Sequence, residues 1–164
     1  MNKVELIQSK IISRKELPYL VARWKFSSKK IVFTNGVFDL LHKGHVTYLA
    51  QAADLGDILI VGLNSDTSSK KLNKGPGRPI QDQESRALIL ASLHLVSLVC
   101  IFDEETPAEL IKLVKPDVLV KGGDWKPETI VGYDTVKAYG GQVLSIDFIP
   151  GFSTTSIEQK IKNG

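Results

Sequence analysis

Along the 164 residues, unbroken apolar runs of strand length alternate with longer segments in which apolar residues recur at helical spacing. The runs are Ile31-Val32-Phe33, Ile58-Leu59-Ile60-Val61-Gly62-Leu63, the stretch 96–102, Asp117-Val118-Leu119-Val120 and Gln142-Val143-Leu144-Ser145-Ile146. Such runs fit strands covered on both faces. Before the first of them, Ser13-Arg14-Lys15-Glu16 has the form of a capping box, with Ser13 as N-cap of a helix through Leu17, Leu20, Val21 and Trp24. Further helices are expected over 47–55, ended by Gly56-Asp57, and over 81–94, where Ala87, Leu90, Ala91 and His94 share a face. Another starts at Thr106-Pro107-Ala108-Glu109 and stops before Pro116, and one over 128–139 ends at Gly140-Gly141. Thr155 and Glu158 form a capping box for a closing helix that Ile157 and Ile161 anchor on the core.

Strands alternating with helices imply a parallel sheet with helices on both faces, and right-handed crossovers favour five strands in the order 3-2-1-4-5. The expected fold is therefore a single α/β domain with a Rossmann-like, doubly wound sheet whose strand C-terminal ends share one ligand crevice. Residues 1–28 read as an N-terminal helical segment ahead of a main domain over 29–164.

Composition narrows the function classes. With 43% hydrophobic and 24% charged residues, the chain has the make-up of one ordinary globular domain. Its formal charge of +3 comes from 21 basic and 18 acidic side chains in no run of five or six like charges. That balance suits a pocket for phosphates better than a nucleic-acid track. The single cysteine, Cys100, lies in an apolar run and leaves no disulfide framework, which a reducing cytoplasm permits. The first residues contain no signal-like apolar region, and no stretch approaches the roughly eighteen apolar residues of a membrane span. A soluble cytoplasmic protein with no membrane partner is expected.

The candidate chemistry centres on Thr34-Asn35-Gly36-Val37-Phe38-Asp39-Leu40-Leu41-His42-Lys43-Gly44-His45, a strand, a loop and a helix start. Such a junction turns unpaired backbone N–H groups toward an anion. His42 and His45 project on the same side of the first turn, and Gly44 removes a side chain that would keep a phosphate from the backbone. A phosphoryl group gaining charge in its transition state fits there. Two surface or N-cap histidines, or a zinc pair, are the other readings. Zinc needs three or four ligands, and the remaining candidates, His94 and Cys100, lie in apolar surroundings.

Three more clusters fall at strand C-terminal ends or helix starts. Asn64-Ser65-Asp66 begins a loop, followed by the Gly- and Pro-rich segment from Lys70 to Pro79 with Lys70, Lys71, Lys74 and Arg78. This is either a solvated loop or a flap whose cations meet a triphosphate, with Arg78 best placed. Lys121-Gly122-Gly123-Asp124-Trp125 offers close backbone approach, opposite charges and an aromatic ring, or simply a glycine turn. Trp125 stacks on a base or sugar, or caps the core. Ser153-Thr154-Thr155 adds hydroxyls to a second helix start, making a second anion site, although capping alone would explain Thr155. No activated nucleophile and no Walker-type Gly-Lys-Ser/Thr is present, so direct nucleotidyl transfer to a phosphate acceptor is the chemistry indicated.

With these residues in place, the chain resembles the nucleotidyltransferase superfamily that carries the His-x-Gly-His motif. Within it, the chain is similar to the adenylyltransferase domain that makes ADP-heptose from ATP and D-glycero-β-D-manno-heptose 1-phosphate, for lipopolysaccharide core synthesis. The segments Thr34 to His45, Gly62-Leu63-Asn64-Ser65-Asp66, Gly77-Arg78-Pro79, Lys121 to Trp125 and Ser153-Thr154-Thr155 carry the likeness in the family's order. The resemblance implies that His42 and His45 stabilise charge on the α and β phosphates, that Ser153, Thr154 and Thr155 hold the pyrophosphate, and that Arg78 neutralises it. Thr34, Asn35, Gly36 and Phe38 would line the nucleotide site, with Gly44, Asn64, Asp66, Lys74, Lys121, Gly122 and Asp124 as further nucleotide contacts. Asp39 would face the acceptor or a metal. Mg2+ would bridge the nucleotide phosphates without a dedicated protein site.

A homodimer acting on small molecules is also implied, the leading helix serving in packing or dimer contact. Asn73 departs from the family pattern as an inserted residue. The alternative within the enzyme class is a cytidylyltransferase acting on glycerol 3-phosphate or on a choline or ethanolamine phosphate. Such relatives carry Tyr where Asn35 stands, and an Arg-Thr pair near the position of Ile149-Pro150. Outside that class stand a nucleotide-sensing binding protein and a nucleic-acid-binding module.

Overall fold

The apolar runs pair side by side. In the computed structural model, which describes residues 1–72, 75 and 77–164, β1 (Ile11–Ile12), β2 (Ile31–Gly36), β3 (Ile58–Asn64), β4 (Leu98–Phe102), β5 (Val118–Gly122) and β6 (Gln142–Ile146) form one sheet. Every pairing is parallel, and the order is β1-β4-β3-β2-β5-β6. This corrects the expected five strands in the order 3-2-1-4-5. The five long runs keep that relative order, but Ile11 and Ile12 add an edge strand against Val99 and Cys100. Two residues are too short to display any period, so only the pairing reveals them.

Side chains along each strand leave the sheet alternately, and both faces are covered. Ile31, Phe33 and Ile60 pack on one side with Leu17 and Val21 of α2 (Leu17–Phe26), Leu110 and Ile111 of α6 (Ala108–Val114) and Val136 of α7 (Tyr133–Ala138). Val32, Leu59, Val61 and Val118 pack on the other with Tyr48, Leu49 and Ala52 of α3 (Lys43–Ala53) and Ala87, Leu90 and Ala91 of α5 (Gln83–Ser92). The short α1 (Lys3–Gln8) rests on α5. Connections leave β2 toward β3 on one side while β5 joins it on the other. The crevice of a doubly wound sheet opens at that reversal.

Several helix boundaries differ from expectation. The Glu16 carboxylate accepts both the N–H and the hydroxyl of Ser13, but α2 begins only at Leu17 and Ser13 does not cap it. Pro18 has no N–H to give a preceding carbonyl, so the helix can begin only where that donor is not required. Where Asn64-Ser65-Asp66 was expected to open a loop, Ser65 caps α4 (Asp66–Lys71) by accepting the N–H of Ser68. His94 lies exposed in a turn beyond α5, not on its buried face. Thr106 makes no capping bond, as Pro107 occupies the position before α6. The helix expected over 128–139 is divided into a single 3₁₀ turn, Pro127–Thr129, and α7, separated by Gly132 at φ 95°.

The closing helix α8 (Thr154–Asn163) is capped by Ser153 with Ser156, not by Thr155 with Glu158. It buries no residue, and Ile161 is 72% exposed instead of anchored. Among the described residues no helix is long and apolar enough to cross a membrane.

Candidate active site

The N-terminus of α3 is built around its two histidines. His42 is itself the N-cap, with extended backbone and Nδ1 accepting the His45 N–H at 3.4 Å. That bond leaves Nε2 as the protonated nitrogen of a neutral imidazole. Burial also holds the His42 pKa below its ordinary value, which favours the same neutral form. The two rings stack with centroids 3.9 Å apart and 24° between planes. Gly44 serves this stack: a Cβ there would stand 3.1 Å from the His42 ring and 3.3 Å from Phe152 Cβ. The space is thus filled by His42 and Phe152.

Phe38 supports His45 from the other side, with ring centroids 5.3 Å apart. It is buried at a φ of 47°, a conformation that costs a side-chain-bearing residue energy, and its ring occupies the space above Gly36. A Cβ on Gly36 would lie 2.9 Å from that ring. The loop between β2 and α3 is therefore locked by packing before any ligand arrives.

Asp39 fastens this loop to the segment before α5. Its two oxygens accept the Ile80 and Gln81 N–H groups at 2.8–3.0 Å and the Arg78 guanidinium at 3.1 Å. Arg78 reaches across to Glu158 of α8 at 2.5 Å, and Glu158 also accepts from Lys162 at 2.8 Å. Those bonds, Lys162 foremost, hold the Glu158 carboxyl below the usual range.

A cleft of about 830 Å³ lies between these parts, at the C-terminal edge of the sheet. Of the residues singled out from sequence, Asn35, Gly36, Phe38, Asp39, His42, His45, Arg78, Lys121, Gly122, Ser153, Thr154 and Thr155 line it. Trp125 joins them, half exposed, with Phe148 and Phe152. Others lie outside the lining. Thr34 is fully buried and bonds the Tyr48 hydroxyl at 2.5 Å. Gly44 is buried beneath His42. The Asn64 amide donates to Ser68 Oγ at 2.8 Å, Asp66 pairs with Arg86 at 2.6 Å, and Asp124 is exposed. Asn73 and Lys74 fall outside the described residues.

Sequence reading missed three supports. Arg86, the largest fully buried side chain, donates to the carbonyls of Val37 and Asn64 at 2.7 and 2.8 Å, to that of Gln81 and to Asp66. It ties the loop after β2 to the end of β3. A signal existed, since Arg86 stands four residues before Leu90 on the buried stripe of α5. Tyr48 lines the cleft floor and donates to the Val120 carbonyl, with burial pushing its phenol up to about 12. Phe148 takes the space above Gly122, where a Cβ would lie 2.5 Å from its ring.

The cytidylyltransferase-like family profile matches residues 33–160, from the strand before the histidine motif to the closing helix. The chain belongs to this nucleotidyltransferase family. Among curated relatives of this family, the bifunctional protein HldE of Trichlorobacter lovleyi is 51% identical over 153 residues, 93% of this chain and 31% of that protein. The bifunctional protein HldE of Syntrophotalea carbinolica is 52% identical over 153 residues, with the same shares. The chain thus spans about a third of the length of those relatives.

Solved structures agree on the fold. The lipopolysaccharide core biosynthesis protein of Thermoplasma volcanium superposes with a TM-score of 0.61 at 30% identity, covering 74% of this chain and 97% of that one. Pantoate-beta-alanine ligase of Francisella tularensis superposes at 0.60 over 93% of this chain and 76% of its own, with only 17% identity, and shares the fold alone.

Proposed function

We propose that the chain is an adenylyltransferase that moves AMP from ATP to D-glycero-β-D-manno-heptose 1-phosphate, giving ADP-heptose and pyrophosphate. The observation that carries the nucleotidyl-transfer part is the convergence of two helix N-termini on one cleft: the stacked His42–His45 pair on α3 and Ser153, Thr154 and Thr155 on α8, with Arg78 between. An acceptor phosphate oxygen attacks the α-phosphorus in line. The bond from that phosphorus to the bridging oxygen breaks, and pyrophosphate leaves with its electron pair. His42 donates from Nε2 toward the α-phosphate, and with His45 it meets charge that grows as the bond breaks. The α8 start and Arg78 hold the leaving pyrophosphate.

Thr34, Asn64, Asp66 and Gly44 act beneath the site through the bonds and packing described above, and Lys121 and Gly122 lie along the nucleotide. Mg2+ would be held mostly by the triphosphate's own oxygens and would supply charge neutralisation there. Asp39, already accepting from two backbone N–H groups and Arg78, serves better as a loop clasp than as a metal ligand. Residues 29–164 carry the catalytic machinery, the active species is a homodimer, and it works in the cytoplasm.

The choice of ATP and heptose rests on the sequence resemblance together with the relatives named HldE. The likeness to cytidylyltransferases makes CTP the second nucleotide to consider, and in that reading the acceptor is glycerol 3-phosphate or a choline or ethanolamine phosphate. One assay grid separates them: ATP, CTP, GTP and UTP, each paired with heptose 1-phosphate, glycerol 3-phosphate and phosphocholine, with pyrophosphate release monitored. Turnover confined to ATP plus the heptose is expected. Preference for CTP with either alcohol phosphate would overturn the substrate assignment and leave the in-line mechanism standing.

A further inference from the structure

Arg78 has two carboxylate partners of unlike kinds. Asp39 is 6% exposed, and leaving its place would strand the Ile80 and Gln81 N–H groups it accepts from. Glu158 sits on α8, which buries nothing, and its side chain is 28% exposed. Its second oxygen is already on Lys162 at 2.8 Å. Glu158 can therefore turn to water, keep Lys162 and give up Arg78 at little cost, whereas Asp39 cannot.

Arg78 lines the same cleft as Ser153, Thr154 and Thr155. A phosphate chain held at the α8 start would bring new negative charge beside both the guanidinium and the Glu158 carboxylate. The guanidinium matches phosphate oxygens in a bidentate fork, and the carboxylate is repelled. On the triphosphate reading given above, we propose that Glu158 is a placeholder for substrate phosphate. It occupies Arg78 in the unliganded cleft, is displaced by the β and γ phosphates, and by that competition sets the affinity for triphosphate and pyrophosphate. Asp39 keeps Arg78 oriented throughout.

The test is calorimetric binding of pyrophosphate, of a non-hydrolysable ATP analogue and of AMP to the full chain. Glu158→Gln should bind the first two about three- to tenfold more tightly, the scale of one partly exposed charge pair, with AMP unchanged. Lys162→Met should move the same affinities the other way by about two- to threefold, because Glu158 then bears on Arg78 alone. Lys162 is 70% exposed, so this variant keeps the test in force if Glu158→Gln folds poorly. A mere anchoring role for Glu158 predicts that Glu158→Gln loosens α8 and weakens binding. Weakened or unchanged affinity in that variant, or unchanged or tighter binding by Lys162→Met, would overturn the proposal. A wild-type chain that binds neither pyrophosphate nor the ATP analogue would instead remove the triphosphate reading itself.

Discussion

The two helix starts that face the cleft are built differently. At α3 the chain is committed to the core: Gly44, Tyr48, Leu49 and Ala52 are buried, His42 caps the first turn, and the preceding loop is locked by Phe38 and Arg86. At α8 no residue is buried, the cap is a Ser153–Ser156 pair in solvent, and Glu158 bonds to Arg78. A group that stabilises a transition state must be held in place before the reaction, which requires the first design. A group that binds and releases a product gains from the second, since an element with few buried contacts moves at low cost.

The sharpest way to break this comparison is to truncate one apolar side chain on each helix. Leu49→Ala on α3 should cost about 2–5 kcal/mol, because Leu49 is fully buried and a cavity would remain. Ile161→Ala on α8 should change stability by less than about 0.5 kcal/mol. Urea midpoints measure both. Equal losses at the two sites would mean that α8 is as firmly packed as α3, and the contrast would fall.

Next in size is the chemistry. His42→Ala and His45→Ala should each lower turnover about a hundredfold or more, the loss expected for one preorganised donor, while near-native circular dichroism is retained. Near-normal pyrophosphate release by either variant would remove the catalytic assignment. A milder effect is expected at the other helix start. Ser153→Ala removes the α8 cap, worth about 1 kcal/mol of local helix stability. Amide exchange over 154–163 should accelerate and KM for the triphosphate should rise several-fold, with kcat changed less. A loss confined to kcat would place Ser153 with the histidines instead.

The smallest expected effect is a pH dependence. Burial lowers the His42 pKa in the folded chain, so on acidification the unfolded chain takes up its proton first. The stability contributed by neutral His42 is present above the unfolded value of about 6.5 and is lost as pH falls through the folded one. Protonation also removes the Nδ1 acceptor that caps α3. Between pH 7 and pH 5 the melting temperature should therefore fall more in the wild type than in His42→Asn, whose amide oxygen caps without titrating. Parallel curves for the two proteins would show that His42 does not couple to folding.

Much of this was legible in the residues because it depends on local order. Buried strands announce themselves as apolar runs, and the family's motifs fall at their ends, so the five long strands and most of the cleft lining follow from sequence. What failed did so where short local signals compete. Thr155 with Glu158 and Ser153 with Ser156 are both plausible caps three residues apart, and only the folded backbone selects the second, freeing Glu158 to meet Arg78 across 80 residues. Ser13 with Glu16 is another sound local pair, overridden by Pro18 two residues later.

Tertiary structure alone decided the rest. Ile11–Ile12 became a strand because β4 offered an unpaired edge, and Arg86 could be buried only because carbonyls of Val37, Asn64 and Gln81 meet around it. The same holds for the partners of Thr34, Asn64 and Asp66, which bond Tyr48, Ser68 and Arg86 and are not among the residues that line the cleft. Residue type and spacing record what a side chain can do. Which partner it meets depends on contacts between segments distant in the chain, where hydrogen bonds left unmade in burial are costly enough to choose the arrangement.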